Sequence, residues 1–299
     1  MNALTVASKD QFFEQLADAF AKKISKTEAK KISEFAKQHY AHIPLEELVS
    51  RRFADTYGAV LAAWQFLQKR SAEETPVAVF NPDLESDGWQ STHTVVFILH
   101  PNIPFLIDSL RIAINHREIG THSIQHSILQ VNRDQNGKLE KLHTSKKKAS
   151  GSDYEAFIVL EIDRHSNPED LRDLEDTLQN VLHEVRIAVS DFPVVTEKVN
   201  EILGELDNTT AGINEEQKEE ARAFLEWLAR DHFTFLGYDE YDFAKDKSGM
   251  VVRRVENSEL GILRVNNERP DRVRLNELPQ RTRHEMTRSD DIFIFAKSA

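Results

Sequence analysis

The chain has no cysteine. Disulfides, thiolate nucleophiles and Cys-ligated zinc are all excluded by that absence, which also fits a reducing cytoplasm. Positive charge is in deficit, with 38 Lys and Arg against 50 Asp and Glu and a net charge of −12. A nucleic-acid partner needs a basic face to neutralise phosphates, so this balance disfavours one. No apolar run approaches the ~20 residues that span a bilayer. The opening MNALTVASKDQFFEQL lacks a basic region followed by an apolar core, so no signal peptide is expected. These absences predict a cytoplasmic chain with no membrane partner.

Glycine is sparse too, and its placement matters more than its number. The ten glycines never form G-x-G-x-x-G, so no dinucleotide-binding turn is expected in this stretch. G-x-x-x-x-G-K and G-x-S-x-G are missing as well. His183-Glu184 and His284-Glu285 each begin a zincin-like motif, but Ile187 and Arg288 stand where the second histidine belongs. His122 and His126 are four apart, which suits a metal on a helix. On a strand they would lie about 13 Å apart, at ~3.3 Å per residue, too far for one ion. No metal site and no catalytic residue is expected.

What is there is ordinary globular composition, 40% hydrophobic and 29% charged over 299 residues, enough for two or three domains. Residues 1–75 read as a helical segment. Phe12, Phe13, Leu16, Phe20 and Ile24 recur at helical spacing, a second helix is suggested from Glu28 to Tyr40, and Pro44 opens a short third. Tyr57, Val60, Leu61, Trp64 and Leu67 form the stripe of a fourth. ETPVAVFNPDLESDGWQ, with two prolines and a glycine, reads as a connector.

From Thr94 the period changes. Val95–Leu99 form an apolar strand that Pro101 and Pro104 stop. Ile103, Leu106, Ile107, Leu110 and Ile114 share a helical face, and Gly120 supplies a backbone suited to ending that helix. The next strand alternates, with Ile124, His126 and Ile128 on one side and Ser123, Gln125 and Ser127 on the other. Lys138–Asp153, including Lys146-Lys147-Lys148, reads as a solvated excursion. Phe157–Ile162 is a third strand, and Asn167-Pro168-Glu169-Asp170 starts a long helix whose stripe runs from Leu171 to Val189. Phe192-Pro193 is expected to break it, with helix resuming beyond.

The order strand–helix–strand–strand–helix over residues 76–206 predicts an α+β, ferredoxin-like sandwich. Its last strand is either missing or supplied from elsewhere, including the stretch before Thr94. Residues 207–299 follow as a second mixed, strand-rich domain. Asn214 and Gln217 make a capping-box pattern for a helix to Arg230. Strand-like pieces follow at His232–Tyr238, Met250–Val255, Gly261–Val265 and Ile292–Ala296. Phe233 and Phe235 alternate as one buried strand face would.

Two readings of His100 stay open at this point. At the end of the first strand its ring can meet a ligand's carboxylate, or it can bond its own loop backbone. Asp108, in the first turn of the following helix, is favourable on dipole grounds alone.

Three blocks carry a family resemblance. Pro104-Phe105-Leu106-Ile107-Asp108-Ser109 resembles the P-F-L-V-D-S block of the large bacterial NAD-specific glutamate dehydrogenases. HFTFLGYDEY, from His232 to Tyr241, is similar to their H-F-x-F-L-G-Y-x-E-Y block. Leu260-Gly261-Ile262-Leu263-Arg264 is similar to their L-G-I-L-R segment. The lead-in with Asp55-Thr56-Tyr57-Gly58-Ala59 and Trp64 is compatible with the family, whereas His100-Pro101-Asn102 departs from it where acidic residues are common.

The resemblance implies a truncated protein, the N-terminal regulatory region of such an enzyme. ACT-like and then PAS-like modules precede dehydrogenase domains whose catalytic lysine and NAD-binding fold lie far downstream. It implies NAD as a cofactor of the parent but none in this fragment. Its implied partners are the remainder of the dehydrogenase chain, an amino-acid effector and further copies in a homo-oligomer. The expected effector-binding residues are His100, Pro101, Asn102, Ile103, Pro104 and Phe105. The rival expectation is a purely structural assembly module that pairs through open sheet edges.

Overall fold

A computed structural model describes residues 7–144, 147, 149–208, 214–246, 249–265 and 270–287. They divide into two units, one up to His183 and one from Glu184 onward.

The first unit opens with α1 (Lys9–Lys23), α2 (Lys26–His39), α3 (Leu45–Ser50) and α4 (Phe53–Phe66). Ser8 and Ser25 cap α1 and α2, their hydroxyl oxygens accepting from the amides of Gln11 and Glu28. Phe12, Phe13, Leu16 and Phe20 are buried as their spacing predicts. The sandwich follows as β1 (Val77–Phe80), β2 (Thr94–Pro101), α5 (Leu106–His116), β3 (Thr121–Arg133), β4 (Leu139–His143) and β5 (Asp153–Ile162). The long α6 (Pro168–Asn208) then leads out of the first unit.

The five strands form one antiparallel sheet in the order β1-β2-β5-β3-β4. Here the missing strand is found. The stretch read as a connector contains β1, which pairs antiparallel with β2 from Val77 opposite Ile98 to Phe80 opposite Val95. The ferredoxin-like edge is thus filled from upstream. The supposed excursion after Lys138 likewise contains β4, paired with the end of β3. Lys146 and Lys148 lie outside the described residues.

Because side chains alternate across a strand, the sheet has two apolar faces to bury. Val95, Phe97, Leu99, Phe157 and Val159 share one core with Phe20, Phe35, Val60 and Trp64 of the helices. Each large apolar side chain buried here contributes about 1.5–3 kcal/mol. A single core therefore joins two segments that the sequence reading separates at residue 75. The alternate residues Val96, Ile98, Ile158 and Leu160 face the other way and are equally buried. On that side lie α5 and α6, whose Leu110, Ile114, Leu174, Leu178 and Leu182 are buried too.

A buried ion cluster ties the layers. Glu155, 1% exposed, accepts from Arg70 Nε at 2.9 Å and from Arg133 Nε and Nη2 at 2.8 and 2.7 Å. The spare guanidinium protons go to the carbonyls of Ser71, Gly137 and Leu67. The segment after α4 is thereby clamped to β3 and β5.

Two local readings are corrected, and the buried side of β3 is assigned. The left-handed residue after α5 is Glu118, at φ 58°, and not Gly120. Gly120 matters instead because its amide donates to Asp163 and a Cβ would lie 2.6 Å from that carboxylate. Pro193 does not interrupt α6, which runs through it; the Thr196 hydroxyl donates to the Phe192 carbonyl beside the proline. On β3 the polar side is the buried one: Gln125 and Ser127 are covered, while Ile128 is 54% exposed. Ser127 is buried because His39 of α2 docks on it, Nδ1 to Oγ at 2.9 Å.

The second unit continues from α6 into α7 (Glu215–Trp227), opened by the expected Asn214–Gln217 capping box. A π-helical turn at Leu228–His232 follows, where a strand was expected to begin. Phe233 is 41% exposed, so it is not the buried strand face its alternation with Phe235 suggested. β6 (Gly237–Tyr238), β7 (Tyr241–Asp246), β8 (Gly249–Arg254), β9 (Leu260–Gly261), α8 (Ile262–Val265), β10 (Arg272–Arg274) and α9 (Gln280–Thr287) complete it. Gly261–Val265 is thus strand only at its start. β10-β8-β7 form a small antiparallel sheet, and β6 pairs with β9. The expected strand Ile292–Ala296 lies outside the described residues. No helix among the described residues is long and apolar enough to cross a membrane.

Candidate effector loop

The loop at residues 100–105 links the central strand β2 to α5. Asn102 extends the β2–β5 pairing by one bond, its amide donating to the Tyr154 carbonyl at 2.9 Å. Pro101 and Pro104 then prevent further ladder formation. Phe105 turns the chain into the helix through a left-handed backbone, φ 69°, unusual for a side chain of this size. No side chain caps α5. Its first-turn amides therefore stand at the loop with the positive end of the helix dipole behind them.

Of the six expected residues, the structure turns one inward and leaves the rest at or near the surface. His100 is fully buried, and its Nδ1–H donates to the Pro101 carbonyl at 2.8 Å. That geometry realises the second of its two readings, the histidine bonding its own loop. Asn102, Pro104 and Phe105 are exposed, and Pro101 and Ile103 partly so. A shallow depression of about 500 Å³ lies elsewhere, in the second unit, lined by Glu201, Gly204, Glu205 and Asn208.

At the opposite end of the strands lies a cluster with no signal in the sequence. The rings of His93 and His122 meet at a tilt of 33°, their centroids 4.1 Å apart. His122 Nε2 meets Asp163 at 2.8 Å, and Arg51 pairs with Glu161 at 2.6 Å. The Gly120 amide and then His122 hold the Asp163 carboxyl below its usual range. The antiparallel pairing of β2, β5 and β3 brings His93, His122, Glu161 and Asp163 to one end of the sheet, and Arg51 reaches Glu161 from the turn between α3 and α4. Among the described residues no group of three His, Asp or Glu side chains is arranged to hold a metal ion.

Two of the three family-like blocks meet in the second unit. Gly237 pairs with Gly261 and Tyr238 with Leu260, so HFTFLGYDEY and LGILR lie side by side. The backbones approach so closely that a Cβ on Gly261 would sit 2.1 Å from the Leu236 carbonyl oxygen. Buried Asp191 fastens the turn, accepting from the Gly261 amide at 2.8 Å and from Arg264 at 3.0 Å. Desolvation, and then the bond to Glu240, push the Tyr238 hydroxyl well above its ordinary range.

An antiparallel sandwich in this strand order, with an open loop between its first long strand and helix, is the architecture of the ACT class. Residues 35–178 match the family described as glutamate dehydrogenase, ACT1 domain. The chain is 41% identical over 256 residues to an NAD-specific glutamate dehydrogenase of Halomonas elongata. It is 38% identical over 265 residues to one of Pseudomonas aeruginosa. The two matches cover 85% and 89% of this chain but 16% of each relative. Residues 35–178 thus carry the match to a glutamate dehydrogenase ACT1 domain, and the chain spans a small part of the length of the NAD-specific glutamate dehydrogenases it is similar to.

The β2–α5 junction, where a dinucleotide-binding fold places its glycines, reads Pro101-Asn102-Ile103-Pro104-Phe105. These residues do not suit a pyrophosphate, and no step through NAD is assigned to them.

Proposed function

We propose that this chain is the N-terminal, non-catalytic regulatory segment of a cytoplasmic NAD-dependent glutamate dehydrogenase. The parent oxidatively deaminates L-glutamate with NAD and water, giving 2-oxoglutarate, ammonia and NADH. The segment senses an amino acid at residues 100–105 and passes that state to the rest of a homo-oligomeric enzyme.

The observation that carries the sensing role is the uncapped N-terminus of α5 beside an exposed, non-helical loop. An amino acid's α-carboxylate satisfies first-turn amides and is favoured by the helix dipole. Asn102, exposed at the rim, offers a donor and an acceptor for a second polar group. His100 contributes by holding the loop's shape. For binding to regulate, the ligand must distinguish two arrangements of the enzyme. The PAS-like character expected of residues 207–299 draws on the β10-β8-β7 sheet and its flanking helices.

Isothermal titration of the folded chain with a panel of amino acids tests the sensing role. A saturable heat for at least one, abolished in Asn102→Ala or strongly weakened in Phe105→Gly, is expected. No heat for any amino acid overturns it.

The second reading is a purely structural assembly module. Edge pairing by the main sheet is poorly supported. The outward amide of Val79 on β1 donates to Glu175, and residues 68–70 cover the start of β4 through Leu139, Lys138 and Gly137. Light scattering separates the readings, since a chain that stays monomeric at high concentration does not assemble by itself.

A further inference from the structure

We infer that Asn136-Gly137 is a spontaneous modification site which the β3–β4 turn holds shut, and that its isoaspartyl product unfastens the Arg70–Arg133–Glu155 cluster. The reaction joins the Gly137 backbone nitrogen to the side-chain carbonyl carbon of Asn136. The bond from that carbon to the side-chain nitrogen breaks, and ammonia leaves with the amide proton. Water then opens the cyclic succinimide. Opening at the former side-chain carbonyl gives aspartate, and opening at the main-chain carbonyl gives isoaspartate, whose backbone runs through Cβ and Cγ. Nothing is oxidised or reduced, and water is the only co-reactant.

A glycine after asparagine makes this closure easy, because no Cβ obstructs the approaching nitrogen. The fold requires that glycine. Gly137 is buried at φ 78°, and a Cβ there would lie 2.4 Å from the Arg70 carbonyl oxygen. Asn136 itself is exposed, so water reaches its side chain. The chain thus carries a labile dipeptide where the second residue has no substitute.

The turn withholds the nitrogen. The Gly137 N–H donates to the Asp134 carbonyl at 3.0 Å. The Gly137 carbonyl accepts from the Arg70 amide and from Arg133 Nη1, each at 2.9 Å. Asp134 Oδ1 accepts from the amides of Asn136 and Lys138, each at 2.9 Å. Ring closure has to swing the Gly137 nitrogen towards the Asn136 side chain and break its bond to Asp134. It therefore proceeds from an opened turn, at a rate set by how often the hairpin opens.

The same glycine ties the site to the buried cluster. Arg133 gives Nε and Nη2 to Glu155 and Nη1 to the Gly137 carbonyl, so one guanidinium holds both. Isoaspartate adds one main-chain carbon before Gly137 and moves that carbonyl off Arg70 and Arg133. A guanidinium proton then loses its acceptor beside a carboxylate that is 1% exposed.

The 299-residue chain is held at mildly alkaline pH in native buffer and in denaturing guanidinium chloride, and isoaspartate is followed by peptide mass mapping. Modification at Asn136 should be at least about tenfold slower in native buffer. Asp134→Ala takes an acceptor from the turn and should move the native rate towards the unfolded one. Equal rates in buffer and denaturant overturn the gating without any variant having to fold, and so does an unchanged rate in Asp134→Ala. The isoaspartyl chain, isolated by chromatography, should unfold at lower denaturant than the parent. Asn136→Asp adds the same charge without the extra carbon and should keep the parent midpoint. A shared midpoint for the isoaspartyl and parent chains, or an equal loss in Asn136→Asp, overturns the link to the cluster.

Discussion

Acid should destabilise the first unit through one buried ring. His39 is 6% exposed and lies between Phe35, Tyr40 and Phe157, with ring centroids at 5.5, 4.8 and 5.1 Å. Burial, reinforced by the nearby Arg51 charge, lowers its pKa from 6.5 to about 3. The fold thus binds neutral His39, whereas the unfolded chain takes up the proton near pH 6.5. Stability from this group is full above that pH and is lost progressively as pH falls towards about 3. At about 1.4 kcal/mol per pH unit, the loss at pH 5 is about 2 kcal/mol, and at pH 4 about 3 kcal/mol. A domain with ~5–15 kcal/mol in total feels either strongly. Urea unfolding at pH 7.5 and pH 5, in the native chain and in His39→Gln, reads the effect. The variant keeps a polar group for Ser127 but cannot titrate. Its stability should therefore fall by about 2 kcal/mol less over that interval. Parallel pH dependences would refute the reasoning, since they would mean that water reaches the ring.

Glu155→Ala should cost about 3–5 kcal/mol, because it leaves Arg70 and Arg133 buried without a counter-charge. Replacing all three by Met, Leu and Met should be close to neutral, which thermal unfolding of both variants checks. Gly261→Ala should cost at least about 2 kcal/mol in the second unit, combining a positive φ with the clash at Leu236. Gly204→Ala, in helix α6 with nothing within 4 Å of its Cβ, should instead stabilise by about 0.4–1 kcal/mol.

The helices were legible because their apolar residues recur at a period no other element shares. Leu174, Leu178 and Leu182 are buried as that spacing requires. Capping at Asn214 was legible for the same local reason. The failures are equally physical. β1 is four residues long between prolines and turn residues, so no window is long enough to show a period. Its identity as a strand depends on the unpaired side of β2. Phe233 and Phe235 alternate, yet the π-helical turn before them and the close Gly237–Gly261 contact bend the chain away from a strand. At the candidate loop, the prolines announced a break, but the inward turn of His100 required knowing that the end of β2 is central and covered.

By itself the sequence determined the composition-level class, the helical stripes and the apolar strands. It also carried the three blocks that resemble NAD-specific glutamate dehydrogenases. These are local properties, readable from neighbours within a few positions. Only the tertiary structure decided which segment closes the sheet and which side of β3 is buried. It also brought together Arg70, Arg133 and Glu155, and it set Gly237 against Gly261. Those outcomes hang on pairings between residues tens of positions apart, where the free energy of burial is assigned by the whole core and not by any stretch of chain.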